Sequence, residues 1–340
     1  MSQIPLVRIH DVNHFQLDNI AQPKAGPDDV VIKVSLCGIC GSDLSYIAMG
    51  GLLGPGVPMP IGHELSGTIF ETGANVQHVA VGDRVIVNPE GNNNRIGNIG
   101  PEGAFSPYLL VRGAALDETA VLKLPDSLSM EQGAMVEPLS VAMHAVHQGR
   151  ISADDKVVIF GAGPIGLGIV LVLKYYGVNN IIVSDLSEKR LEIAESLGAK
   201  RFKGSSKALT AFLTKTHGTA EVHGLGTMPA TDLYFEATGV GTVFNQAVEM
   251  ARRGARVVVV GVNQTPVELN LVNLLMRELS ITGSMAYPTE FPEVVRMLES
   301  GKVDIAPLIT HRYPLSQFGE AISSARNTEQ AVKVMVDCQH

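Results

Sequence analysis

Val157-Val158-Ile159-Phe160-Gly161-Ala162-Gly163-Pro164-Ile165-Gly166 lies near the middle of this 340-residue chain, and its reading decides the fold. A continuous apolar run, a glycine turn and then helix-forming residues are what a buried parallel strand, a tight loop and a helix require. Gly161 permits the turn, Gly163 lets an anionic group approach the backbone, and Gly166 allows the helix to pack closely on the strand. Pro164 and Ile165 open the helix, whose free N–H groups and dipole favour a pyrophosphate. A dinucleotide is the ligand this loop fits.

Working outward from that loop, residues 165–176 read as a helix and Ile181-Ile182-Val183 as a second strand ending at Asp185. Strands are then expected at Leu233-Tyr234-Phe235, Val257-Val258-Val259-Val260 and Leu279-Ser280-Ile281-Thr282. This alternation predicts an α/β fold with a doubly wound parallel sheet. Asp185 follows the loop by about twenty residues, where an acid accepts from both ribose hydroxyls and repels a 2′-phosphate. NAD is therefore favoured over NADP, although Arg190 nearby is a group that can pair with such a phosphate.

The first 130 or so residues look different. Short strands at 30–34, 67–71 and 84–87 are separated by Gly- and Asp-containing turns, and residues 130–148 read as one helix with Ser129 as its N-cap. Within this part stand Cys37-Gly38-Ile39-Cys40-Gly41-Ser42-Asp43 and, further on, Gly62-His63-Glu64. Cys40 and His63 are a soft and an intermediate zinc donor, and Glu64 or Glu137 can add an oxygen. Three protein ligands leave one tetrahedral position for a substrate oxygen, whose alcohol then ionises more readily. Asp43 is placed to orient His63 through its other ring nitrogen. Ser42 is placed to pass the alcohol proton towards solvent.

Competing readings have less support. Cys37 and Cys40 have redox spacing but lack the thioredoxin-like sequence that should follow. His144 and His147 are one helical turn apart without a third ligand in sequence, so packing or exposure accounts for them. Cys338 and His340 close the chain and carry no motif.

Length predicts two domains. Residues 1–137 and 283–340 are expected to form one, since the tail after Gly283 is too short to stand alone, with 138–282 as the dinucleotide domain. A net charge of −8 without a basic run argues against nucleic acid or an anionic membrane. With neither a leader segment nor a spanning apolar run, and with only three cysteines, a cytoplasmic, reduced protein is expected.

With both motifs in order, the chain resembles the zinc-dependent medium-chain alcohol and polyol dehydrogenases along essentially its whole length. The resemblance rests on 37–43, Gly62-His63-Glu64, Glu137-Pro138-Leu139-Ser140-Val141-Ala142, 161–166 and Thr310-His311-Arg312-Tyr313-Pro314. The Glu-Pro-Leu form points to the sorbitol, threonine, butanediol and sugar-acid branch. The resemblance implies a Rossmann domain inserted into a GroES-like β-barrel domain, a zinc set drawn from Cys40, His63 and one or both of Glu64 and Glu137, and Ser42 as proton relay. It also implies NAD contacts from Ile165, Asp185, Arg190, Val260-Gly261-Val262 and Ser284-Met285, and a homodimer or homotetramer.

Three departures qualify it. The family's lobe of four cysteines is missing, since 88–105 contains none, so one catalytic zinc and no structural zinc is expected. Ser45 stands where the relay histidine usually is. Ala286 stands where polyol dehydrogenases place an arginine, with Tyr287 retained, which favours a substrate less hydroxylated than sorbitol. The expected activity is reversible oxidation of a secondary alcohol to a ketone with NAD. A zinc-free quinone or enoyl reductase, or a nucleotide-binding protein without chemistry, is the alternative.

Overall fold

The computed structural model describes residues 2–222, 224 and 226–340. The chain forms two compact units, Met1–Glu137 with Ile309–Asn327 and Lys333–His340, and Pro138–Leu308 with Thr328–Val332.

The first unit begins with β1 (Gln3–Asp11) and β2 (His14–Ala21), an antiparallel pair. Next come β3 (Val30–Gly38), helix α1 (Gly41–Met49), β4 (Met59–Pro60) and β5 (Glu64–Thr72). Then follow β6 (Arg84–Val87), β7 (Tyr108–Val111) and β8 (Val121–Lys123). β4 adds to β1, while β3 pairs antiparallel with β5 and β7. That register sets Gly38 opposite Glu64, so the end of the cysteine-bearing strand lies beside the start of the one that follows His63.

The helix expected at 130–148 is two helices, α2 (Met130–Ala134) and α3 (Val136–Gln148). Ser129 does cap the first: its hydroxyl accepts from Gln132 N at 3.1 Å while Gln132 Oε1 accepts from Ser129 N at 2.8 Å. The interruption has a covalent cause. Pro138 has no N–H to offer the carbonyl of Ala134, so the ladder breaks there. Glu137 thereby occupies the first turn of α3.

The second unit is built on a six-stranded parallel sheet: β9 (Lys156–Phe160) leads to α4 (Pro164–Tyr175), and β10 (Asn180–Ser184) to α5 (Glu188–Ser196). After β11 (Lys200–Phe202) and α6 (Ser206–His217), an antiparallel hairpin intervenes, β12 (Thr219–Val222) and β13 (Gly226–Pro229). The sheet resumes with β14 (Leu233–Glu236), α7 (Gly241–Met250), β15 (Arg256–Val259), α8 (Leu271–Arg277) and β16 (Ser280–Gly283). Strand order β11-β10-β9-β14-β15-β16 reverses direction at β9, the switch point that defines a doubly wound sheet. α4 is buried from Gly166 to Leu173, as its nearly unbroken apolar sequence demands.

The chain leaves this unit later than its sequence suggested. Residues 283–308, expected to return to the first domain, cluster with the second. Helix α9 (Phe291–Glu299) is why: Glu290 at its start accepts from His144 at 2.8 Å, and Tyr176 donates to Glu293. These polar ties, together with burial of Phe291, Val294, Met297 and Leu298, hold it there. The tail then supplies β17 (Ile309–Pro314), α10 (Phe318–Arg326) and β18 (Lys333–Asp337). β18 lies between β17 and β3, and Phe318 packs against Phe15 and Phe105. No helix among the described residues is long and apolar enough to cross a membrane.

Candidate metal and dinucleotide sites

In the first unit, Cys40, His63 and Glu64 converge: their ligand atoms lie within 4.8 Å of one another. Sulfur, nitrogen and oxygen donors around a tetrahedral zinc stand roughly 3.3–3.8 Å apart, so a small adjustment suffices. Local structure explains the meeting. Cys40 is the N-cap of α1, and His63 ends the turn that leads into β5. Gly62, at φ +94°, makes that turn; a Cβ there would lie 2.7 Å from the Phe105 ring.

Asp43, fully buried, fastens both turns, because its carboxylate accepts from Cys40 N at 2.9 Å and from Gly62 N at 3.2 Å. Its remaining distance, 3.8 Å to His63 Nδ1, is too long for the hydrogen bond expected from sequence. That ring nitrogen is buried without a partner. Burial pulls the imidazole towards neutrality, yet Asp43 and Cys40 outweigh it and hold its pKa well above the ordinary value. Burial pushes the Asp43 carboxyl up. A buried imidazole with an orphaned nitrogen beside a thiol and a carboxylate fits a metal, and soft, borderline and hard donors together suit zinc.

The two glutamates differ. Glu137, 6% exposed, is not among the three converging ligands, although its charge reaches both His63 and Lys333. Glu64 is held by Lys333, whose Nζ stands 2.5 Å from Oε2 and 2.7 Å from Oε1. Burial draws the Lys333 pKa down, but Glu64 more than offsets it and the ammonium titrates above its usual range. Sequence reasoning missed this lysine, placing it only as part of a strand. The signal was present: a single cation interrupts the run Val332-Lys333-Val334-Met335-Val336. Ser42 lies in the first turn of α1, half-buried.

His144 and His147 do have a partner that sequence could not reveal. Both face Glu290 Oε1, at 2.8 and 3.3 Å, and His147 Nε2 stands 3.0 Å from the Tyr176 hydroxyl. They belong to the packing of α9 within the second unit.

In the second unit the glycine loop is closed to side chains at Gly161 and Gly166. Gly161 takes φ +97°, and a Cβ on Gly166 would meet the Gly161 carbonyl at 1.8 Å. Gly163 caps α4 with Pro164 at the first helical position, leaving the helix N-terminus open. Asp185 follows β10 and already accepts from Ala162 N at 2.6 Å and Ser187 N at 2.7 Å. Arg190 donates through Nε and Nη2 to the Ala331 carbonyl, at 3.0 and 2.7 Å, and its Nη1 faces Gly163. Val260-Gly261-Val262 follows β15; Val260 N and Gly261 N donate to Glu236 O, and Val262 is exposed. Ser284 follows β16 with a buried, unpartnered hydroxyl, and Met285 beside it is 80% exposed. Gly161, Asp185, 260–262 and Ser284-Met285 follow the carboxyl ends of parallel strands, where open α/β sheets bind ligands, and Arg190 lies in the first turn of α5.

Comparison with known proteins agrees with this geometry. Residues 164–300 match the family described as "Zinc-binding dehydrogenase", and residues 26–126 match "Alcohol dehydrogenase GroES-like domain". Sorbitol dehydrogenase of Gallus gallus is 34% identical over 352 residues, covering 98% of this chain and 96% of the relative. The crystal structure of 2R,3R-butanediol dehydrogenase from Bacillus subtilis superposes with a TM-score of 0.86 at 32% identity, covering 98% of this chain and 99% of that one. An alcohol dehydrogenase from Escherichia coli CFT073, solved with NADH, gives a TM-score of 0.86 at 29% identity, covering 99% of this chain and 100% of that one. With a Rossmann sheet, a GroES-like domain and relatives along its full length, this chain belongs to the zinc-dependent medium-chain dehydrogenases, in the sorbitol and butanediol dehydrogenase branch.

Proposed function

We propose that the protein is an NAD-dependent dehydrogenase with one zinc per chain that reversibly oxidises a secondary alcohol to a ketone. The convergence of Cys40, His63 and Glu64 carries this reading, because a zinc-free reductase or a non-catalytic nucleotide binder has no need of thiol, imidazole and carboxylate donors within 4.8 Å of one another. When bound, zinc supplies Lewis acidity to an alcohol oxygen and NAD supplies the acceptor for hydride.

The chain's own residues do the rest. Cys40 and His63 hold the metal with a carboxylate from Glu64 or Glu137, and Asp43 fixes both ligand-bearing turns through Cys40 N and Gly62 N. The Ser42 hydroxyl receives the substrate proton and passes it to solvent, since Ser45 cannot act as the relay histidine does. Gly161, Gly163, Pro164, Ile165 and Gly166 receive the pyrophosphate at the N-terminus of α4. Asp185 accepts from the ribose hydroxyls with the lone pairs its two backbone donors leave free. The bonds of Arg190 to the Ala331 carbonyl and the approach of its Nη1 to Gly163 support a role at the pyrophosphate turn over one at a 2′-phosphate. Val260, Gly261, Val262, Ser284 and Met285 line the path of the nicotinamide half.

The substrate is a small alcohol and its ketone. Ala286 offers no cation to a chain of hydroxyls, and each polyol hydroxyl left unpaired in a closed site costs about 1–3 kcal/mol. Diols and hydroxy acids are therefore favoured over sorbitol. Self-association runs through the second unit, where β16 is an edge strand and α8 exposes Leu271, Val272 and Leu275. A reducing compartment, the cytoplasm, keeps Cys40 from oxidation.

NADH formation over a panel of polyols, aldonates, diols and apolar secondary alcohols, run beside metal analysis of dialysed protein, tests the proposal. One zinc per chain, turnover of a secondary alcohol and higher kcat/KM with NAD than NADP are expected. Full activity in metal-free protein overturns it. A kcat/KM highest for sorbitol overturns the inference from Ala286 alone.

A further inference from the structure

We propose that Glu236, buried at the carboxyl end of β14, is a positioning residue for the dinucleotide: its carboxylate locks the turn at 238–239, which seats the turn at 260–261 and so shapes the site for the nicotinamide half. The inference rests on the reading of the second unit as an NAD domain.

Glu236 ends the apolar strand Leu233-Tyr234-Phe235 and is 1% exposed. A carboxylate buried there must find donors, because an unpaired one is costly. All of them come from the turn that follows. Oε1 accepts from Thr238 N at 2.7 Å, from Gly239 N at 3.0 Å and from the Thr238 hydroxyl, while Oε2 accepts a longer bond from Gly239 N at 3.3 Å. The same hydroxyl accepts from Val240 N at 3.1 Å. One side chain thus fixes successive N–H groups of a turn that no helix or strand holds.

That turn is the middle one of three, since β9, β14 and β15 are neighbours in the sheet. On one side, a Cβ on Gly161 would stand 3.1 Å from Ala237 O and from Thr238 Cγ2. On the other, a Cβ on Gly261 would stand 2.1 Å from Gly239 N and 2.9 Å from Glu236 Oε2. The outer two turns are anchored differently. Gly161 N donates to Ser184 O at 2.9 Å and Ala162 N to Asp185 at 2.6 Å, so the glycine turn has ties of its own. Val260 N and Gly261 N both donate to the Glu236 carbonyl, at 2.8 and 2.9 Å. Beyond them, residues 260–270 form neither helix nor strand, and none is buried. A cavity of about 280 Å³, lined by Glu236, Phe244, Val259, Asn263, Val267 and Leu269, leaves this segment room to shift. Its position therefore depends on polar ties that converge on Glu236, and a displacement of about 1 Å is enough to slow a positioned reaction substantially.

A residue that served only the fold would weaken every ligand alike, so the test compares two on the zinc-loaded protein. ADP-ribose needs the glycine turn and Asp185; NADH needs the turns at 238–239 and 260–261 as well. Glu236→Gln sets an amide N–H among groups that all donate. It should raise the Kd of NADH, read from its fluorescence, roughly tenfold and lower kcat to a similar extent, with the calorimetric Kd of ADP-ribose within about threefold and zinc content unchanged. Thr238→Val removes one donor and should raise the Kd of NADH about fivefold; Thr238→Ser keeps the hydroxyl and should restore it. Should Glu236→Gln not fold, that Thr238 pair decides. An NADH affinity within about twofold of wild type in folded Glu236→Gln, or in Thr238→Val, overturns the proposal, as do NADH and ADP-ribose affinities that fall in parallel. A wild-type protein that binds neither ligand defeats instead the NAD reading beneath it, and the proposal with it.

Discussion

Each unit of this protein buries a histidine with one ring nitrogen unpartnered, and the two have opposite meanings. His63 in the first unit leaves Nδ1 free; His217 in the second leaves Nε2 free. Around His63 stand Asp43, Cys40 and Glu137, and its pKa is held well above the ordinary value. At His217 burial, seconded by Lys156, holds the imidazole down to about 4, and its Nδ1 is bonded to the Thr231 hydroxyl at 2.8 Å. An orphaned nitrogen therefore says little about metal binding by itself. The sign of the charge around it decides whether a cation is wanted, because the same low-dielectric surroundings that penalise an isolated charge strengthen its attraction to neighbours.

The largest effect should separate these histidines directly. His63→Ala is expected to release the metal and to lower kcat/KM by at least about a thousandfold, roughly 4 kcal/mol. His217→Gln should leave metal content and kcat/KM within about twofold. Loss of zinc from the His217 variant, or its retention with near-native turnover in the His63 variant, would break the comparison.

An effect of intermediate size concerns pH. Unfolded, the His217 imidazole titrates near its ordinary value of 6.5; folded, it is held to about 4. The unfolded chain thus binds a proton that the native state refuses, so stability is intact above pH 6.5 and falls as pH drops towards 4. The loss should approach about 3 kcal/mol at the acid end. Denaturant midpoints of wild type and His217→Gln across that window should converge as pH falls; parallel curves would show that His217 carries none of the dependence.

A smaller effect sharpens the comparison inside the first unit. Residues 88–105 lack the cysteines of a structural zinc lobe, and this segment closes on its own amides. Asn94 donates to the carbonyls of Gly91 and Arg112, at 2.8 and 2.9 Å, and accepts from Arg112 N at 3.1 Å. Asn92 N donates to Asp117 at 2.6 Å, and Tyr46 donates to Asn98 at 2.8 Å. Asn92 and Asn93 also adopt left-handed backbone, at φ +47° and +56°, which asparagine tolerates better than most residues. Where the donor set around His63 leaves a buried nitrogen waiting, this loop satisfies its own polar groups. Asn94→Ala should cost about 1–3 kcal/mol by stranding Arg112 N, without changing the zinc count. A variant that lost a second equivalent of metal would show instead that the loop holds one.

The doubly wound sheet could be read from the strand, glycine turn and helix around 157–166, because each local choice there admits few alternatives. A turn at φ +97° and a site where a Cβ would meet a carbonyl at 1.8 Å demand glycine wherever the rest of the chain lies. Donor chemistry was legible for the same reason: thiol, imidazole and carboxylate are fixed by residue type. Boundaries were less so. The break between α2 and α3 follows from Pro138, a local cause that helical periodicity concealed. The late departure of the chain at 308 follows from Glu290 meeting His144 across 146 residues of sequence, which no local pattern encodes.

What the sequence determined by itself was therefore the kind of chemistry and the kind of fold, since both reside in residue types and short spacings. What only the tertiary structure decided was which donors meet and what each is doing when they do. Glu64 was a ligand candidate by motif; the fold brings it to Cys40 and His63 and also pairs it with Lys333, 269 residues away. Asp43 stood next in line to orient His63, but it fastens Cys40 N and Gly62 N instead. Such assignments depend on competition between partners for one carboxylate, and that competition exists only after distant strands have paired.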